Sequence, residues 1–136
     1  MVTKRELQSE KLQQVRDLAE ADLYIFAKLV NPSYEYGDIH KEVFKWLQAE
    51  NSEFNQLLLL PRAHLKSHCM AVWSAWWVTK HPDTTILYIS ATSTLAEDQL
   101  YAIKGMLDSD TYARYWPEMV NPEEGKREKW ASTSIM

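Results

Sequence analysis

The chain has 136 residues, 46% of them hydrophobic, with 15 Lys and Arg against 19 Asp and Glu and so a net charge of −4. That length suits one globular domain, the hydrophobic share excludes a disordered tail, and the mild negative charge excludes a strongly basic nucleic-acid module. The lone Cys69 excludes an internal disulfide and suits a reducing cytosol, and no uncharged apolar run approaches the roughly 18–20 residues of a bilayer span.

The N-terminus is charged from Lys4 and lacks the apolar core of a signal peptide. From about Thr3 to Val30, Leu12, Val15, Ala19, Leu23, Phe26 and Val30 recur at helical steps and predict one helix. Asn31-Pro32-Ser33 stops it. A second helix is expected from about Asp38 to Ala49, with Asp38 as N-cap. Leu57-Leu58-Leu59-Leu60 is a short apolar run closed by Pro61, which suits a strand buried on both faces. Lys66 to Lys80 is apolar nearly all round and predicts a deeply covered helix, with Trp73, Trp76 and Trp77 in the core. Thr84 to Ser90 is rich in β-branched and aromatic residues and reads as a second strand. Thr94 and Glu97 have capping-box spacing before a helix that ends near Asp108. A short helical piece is expected over Thr111–Trp116, a polar loop over Asn121–Lys129, and the start of another strand after Trp130.

Strand, helix, strand implies parallel pairing through a right-handed crossover. The expected class is therefore α/β: a parallel sheet with flanking helices in a P-loop NTPase-like, three-layer sandwich. A two-strand sheet leaves its edges unpaired, so residues 1–136 are expected to be the N-terminal fragment of a larger domain. Within it, 1–52 form an N-terminal helical region and 53–136 the start of the core.

The segment Leu57 to His68 has the layout of a phosphate-binding loop: buried strand, tight turn, Lys-Ser, buried helix. Amides at a helix start point toward an anion, and the helix dipole favours negative charge there. Counting back from Lys66-Ser67, the two customary glycines fall on Leu60 and Leu65. Glycine normally supplies the positive φ angles of such a loop. The bland alternative is that a Lys and a Ser simply begin a helix.

Three pieces resemble the ATPase domain of tailed-phage terminase large subunits, the DNA-packaging motors, and above all the branch called DNA maturase B. They are Leu59-Leu-Pro-Arg-Ala-His-Leu-Lys-Ser67, similar to that branch's loop; His81-Pro-Asp-Thr-Thr-Ile-Leu87 at the matching distance; and Ile89-Ser-Ala-Thr-Ser-Thr-Leu-Ala-Glu-Asp98, similar to the turn after the second strand. Asn31-Pro32-Ser33-Tyr34 and His40 also fit the group. Ala63 stands where that branch has Gly.

The resemblance implies a nucleotide site of Pro61, Arg62, Ala63, His64, Leu65, Lys66 and Ser67, with ATP and Mg²⁺ as cofactors. Lys66 would hold the β- and γ-phosphates, Ser67 would be the Mg²⁺ ligand, and Arg62 would stabilise the γ-phosphate, a task suited to a bidentate guanidinium. Tyr36 would stack on the base, and His40 would stand in for an upstream Gln; aromatic side chains beside Gly37 could equally be core. For His64 the plainer reading is a helix cap or a solvent-facing ring, and for His68 packing or an outward position. Ser90 and Thr92 lie where a sheet's C-terminal edge would bind ligand, though a helix cap explains them as well.

In the complete protein the implied activity is ATP hydrolysis that packages double-stranded DNA into a procapsid, with nuclease activity in the full-length family. The implied partners are DNA, a portal protein and a small terminase subunit, in a homo-oligomeric ring without a membrane; the place is the host cytoplasm, docked transiently on the procapsid. The family's Mg²⁺-holding acid and catalytic Glu follow four apolar residues, and no such run occurs here: Glu123-Glu124 lies in a polar stretch. The chain alone is thus expected to bind nucleotide weakly, if at all, and not to hydrolyse it. Two other readings stand beside this one, a helicase-type nucleic-acid-dependent ATPase and a non-catalytic P-loop-like interaction module.

Overall fold

The structure is a computed structural model, and it describes residues 3–49, 56–61, 65–119, 130–131 and 134–135. Its elements in chain order are α1 (Lys4–Ala21), α2 (Leu23–Val30), α3 (Asp38–Gln48), α4 (Lys66–Lys80), α5 (Ser93–Leu107), α6 (Asp110–Tyr115), a 3-10 turn (Pro117–Met119), β1 (Trp130–Ala131) and β2 (Ser134–Ile135).

The expected parallel α/β sandwich is not what forms. Neither 56–61 nor 84–90 is a strand, and the ladder among the described residues is a two-residue antiparallel pairing of β1 with β2, Trp130 opposite Ile135 and Ala131 opposite Ser134. Among the described residues the two apolar segments take no regular secondary structure and make no ladder with each other. Their burial nevertheless alternates with the period of a strand. Leu58 and Leu60 pack against the core, and so does Tyr88, while Leu57, Leu59, Leu87 and Ile89 are 77%, 76%, 80% and 84% exposed. A lone pair of such segments gains little by pairing, and each here uses one face on the helices instead.

The helices enclose α4. It contacts α1, α2, α3 and α5, as its all-round apolar composition predicts. Cys69, Ala71, Val72, Ala75 and Trp76 are buried in it, together with Ser74 and Thr79. The two hydroxyls return to the helix's own carbonyls, Ser74 Oγ to Met70 O (2.8 Å) and Thr79 Oγ1 to Ala75 O (2.7 Å). Trp76 donates its indole N–H to Ala19 O at 3.0 Å, which joins α4 to α1. Phe26 and Trp116 meet edge-to-face at 5.4 Å, and the Trp116 indole donates to Glu20 Oε1 (2.9 Å). One apolar cluster runs from Ala19 to Trp116, so residues on both sides of position 52 share a core.

Three helix boundaries differ from expectation, each for a local reason. The single helix expected over 3–30 breaks at Asp22, whose backbone is extended (φ −133°, ψ 113°) and whose carboxylate accepts from Tyr24 N–H (2.9 Å), capping α2. The cap of α3 is Gly37 rather than Asp38, with the His40 Nδ1 accepting the Gly37 N–H (3.0 Å). The cap of α5 is Thr92, whose hydroxyl accepts from Leu95 N–H (3.3 Å), so Thr94 lies inside the helix. Among the described residues, no helix is long and apolar enough to cross a membrane.

Candidate functional site: the head of α4

The sequence-predicted site centres on the start of α4. Leu65 is its N-cap and has φ 56° and ψ 27°, the one left-handed non-glycine residue among those described. This is the position at which the motif count expects a glycine. A side chain there costs about 1–2 kcal/mol. Leu65 is half-buried against the core, and its carbonyl accepts the first helical hydrogen bond, from Cys69 N–H at 2.8 Å. The amides of Lys66, Ser67 and His68 precede that bond, and among the described residues no side chain caps them.

Lys66 and Ser67 are exposed, and neither side chain has a hydrogen-bond or ion-pair partner among the described residues. An ammonium, a hydroxyl and three amides without a partner among the described residues form a donor set at one helix start that fits an anion with several oxygens. Among the described residues there, Ser67 Oγ is the side-chain oxygen suited to Mg²⁺, which a nucleotide's own phosphates would help to hold. Among the described residues no group of three His, Cys, Asp or Glu side chains is placed to hold a metal ion. Pro61 is exposed at the end of the first apolar segment, whereas Arg62, Ala63 and His64 lie outside the described residues, as do Glu123 and Glu124.

Tyr36 and His40, the candidate base-binding pair, come together in an aromatic cluster beside this helix start. Their rings are 6.2 Å apart at 68°. Tyr36 also meets Phe44 edge-on at 5.2 Å and Tyr24 at 6.1 Å, and Lys28 Nζ lies 5.8 Å from its centroid. Burial raises the Tyr36 phenol far above its usual range, so the hydroxyl is a neutral donor at ordinary pH. The link to α4 is His68, in the helix's first turn. Its Nε2 is 2.7 Å from Tyr36 Oη, and the Tyr34 ring lies flat on its imidazole at 3.9 Å and 6°. Burial holds His68 below the ordinary imidazole pKa, with the nearby His40 adding to the effect. The neutral ring and the Tyr36 hydroxyl share one hydrogen bond, in which His68 accepts when its proton is on Nδ1 and donates when it is on Nε2.

Two residues of this site escape a reading of the sequence. His68 packs, as one of its two expected positions has it, and through its hydrogen bond to Tyr36 it is a connector as well. Gln99 of α5 donates its side-chain N–H to the Ser67 carbonyl at 2.7 Å. Through it the helix that follows Ser90-Ala91-Thr92 grips the first turn of α4. No local pattern marks either residue, because their partners lie 32 positions away in each case. Tyr88 adds a third tie, with its hydroxyl against Ser74 Oγ and donating to Met70 O (3.1 Å).

A separate open hollow of about 580 Å³ lies between the α1–α2 junction and α3, beside Asp22, Tyr24, Lys41 and Lys45. Its polar groups serve the fold. Gln48 accepts from Leu23 N–H (2.9 Å) and donates to Ala21 O (2.6 Å), and the Lys41 ammonium sits 5.4 Å from the Tyr24 centroid.

Comparison with protein-family models, with curated proteins and with solved structures finds no match to this chain.

Proposed function

We propose that this chain is the ATP-binding part of a viral terminase large subunit, the motor that packages double-stranded DNA into a procapsid using ATP hydrolysis. The observation that carries the reading is the head of α4. An apolar segment ends at Pro61, and Leu65 then takes a left-handed backbone where the motif count expects glycine. Lys66 and Ser67 follow at an uncapped helix start. Backbone strain of this kind collects at ligand-binding turns. The reading rests on this helix start and on the resemblance of 59–67, 81–87 and 89–98 to the terminase loops, not on a sheet.

In this reading Lys66 neutralises the β- and γ-phosphates, the amides of the first turn bind their oxygens, and Ser67 holds Mg²⁺. Arg62 would stabilise the γ-phosphate, the role that the resemblance implies. Mg²⁺ supplies charge neutralisation on the phosphates. Double-stranded DNA, the portal protein and the small terminase subunit are the partners of the whole motor, which acts in the host cytoplasm on the procapsid.

The test is a calorimetric titration of the 136-residue chain with Mg·ATP, repeated on Lys66→Ala. Measurable binding by the wild-type chain that disappears in Lys66→Ala supports the reading. Equal binding by both would sink it, and so would no binding by the wild-type chain.

A further inference from the structure

Resting on that reading, we infer that Tyr36 is a positioning residue: acting through His68, it holds the first turn of α4 so that Lys66 and Ser67 meet a triphosphate already in place. The loop from Asn31 to Gly37 is anchored at several points. Lys28 Nζ donates to Tyr34 O (2.8 Å), Asn31 Nδ2 reaches Met106 Sδ (3.2 Å), and the Tyr36 ring is wedged among Tyr24, Phe44 and His40. From this fixed base three contacts reach His68 of α4: the flat Tyr34 ring, the Tyr36 ring stacked at 5.7 Å, and the Tyr36 hydroxyl. His68 directly follows Ser67, whose carbonyl is held from the other side by Gln99. The turn that presents the ammonium and the hydroxyl is thus held from two directions by groups that need not touch a ligand.

A helix start preceded by a strained residue has reason to be held in this way. Left-handed Leu65 favours relaxation of the turn, and any relaxation would move Lys66 and the three amides together. Preorganised donors bind an anion more tightly because no ordering remains to be done on binding.

Four variants test the inference by Mg·ATP affinity, with the unfolding midpoint as control. Tyr36→Phe keeps every ring contact and removes one hydroxyl; it should weaken binding about 2- to 10-fold. His68→Leu should weaken it similarly. His68→Gln should restore near wild-type affinity, since its amide can accept from Tyr36 or donate to it in place of Nε2. The double variant Tyr36→Phe/His68→Leu should be no weaker than His68→Leu alone, because two residues acting through one contact are not additive. Wild-type affinity in Tyr36→Phe, additive losses, or His68→Gln as weak as His68→Leu would overturn the inference. If Tyr36→Phe does not fold, the His68→Gln and His68→Leu pair decides it. A wild-type chain that binds, with binding lost in Lys66→Ala and intact in Tyr36→Phe, removes this inference and leaves the nucleotide reading standing. A wild-type chain that does not bind removes both.

Discussion

Replacing Leu65 by glycine and, separately, by alanine isolates the backbone at the head of α4. Both variants lose the half-buried leucine side chain, so the packing loss largely cancels between them. What remains is the conformation. At φ 56° a side-chain-bearing residue is strained by about 1–2 kcal/mol, and glycine is not. Glycine loses about 0.5–1 kcal/mol more backbone entropy on folding. The difference leaves Leu65→Gly more stable than Leu65→Ala by about 0.5–1 kcal/mol. For a chain of 136 residues that is about 2–3 °C in the unfolding midpoint. Urea and thermal unfolding of the two variants measure it directly. At a position with ordinary helical or extended backbone the order reverses, with the alanine variant ahead of the glycine variant by a similar amount. That reversed order would refute the left-handed assignment and, with it, the strain argument for this turn.

Two further outcomes follow from the same neighbourhood. Cys69 is fully buried, and burial pushes its thiol up to about 11, so the native chain should resist thiol reagents until it unfolds; rapid stoichiometric labelling in native buffer would contradict its placement in α4. His68 is faced by Tyr34 and Tyr36 from the loop and by His40 from α3, and its pKa is depressed in the fold. The unfolded chain then binds the proton more readily than the folded one. This contribution to stability is complete above about pH 6.5 and is lost as the pH falls below that value toward the folded pKa. Urea midpoints from about pH 8 to about pH 5 should therefore drop more in the wild-type chain than in His68→Leu, and parallel drops in the two would remove His68 as the cause.

The helices were legible where a local signal and the tertiary fold agree. α4 runs from Lys66 to Lys80 as its apolar residues and the His81-Pro82 stop require. The break at Asp22 was not legible, because an aspartate on a helical repeat looks like any exposed position until its carboxylate caps the next helix. The strands failed for a different reason. Leu57–Leu60 and Ile86–Ile89 carry real strand character, visible in their alternating burial, but a strand exists only where a partner supplies the hydrogen bonds. Residue type alone reports the preference and not the partner. At the site, the motif count placed the customary glycines on Leu60 and Leu65; Leu65 has a positive φ and Leu60 does not, so the spacing alone did not tell the two apart.

Under the proposed function, the head of α4 would meet phosphate without a sheet behind it. In a strand-fed loop the ladder fixes the chain just before the turn, and glycines let the turn close. Here, among the described residues, the first apolar segment has no ladder, and Leu65 at the head of α4 is strained. The restraint comes from side chains that bind α4: Tyr34 and Tyr36 on His68, Gln99 on the Ser67 carbonyl, and Tyr88 on Ser74 and Met70. Each tie is a single hydrogen bond or stacked pair, worth about 0.5–1.5 kcal/mol. Together they exceed the strain of about 1–2 kcal/mol at Leu65, so the turn can stay closed. Removing one tie should loosen the turn without opening it, which is why a graded loss of affinity, rather than an abolished site, is the signature expected of Tyr36→Phe.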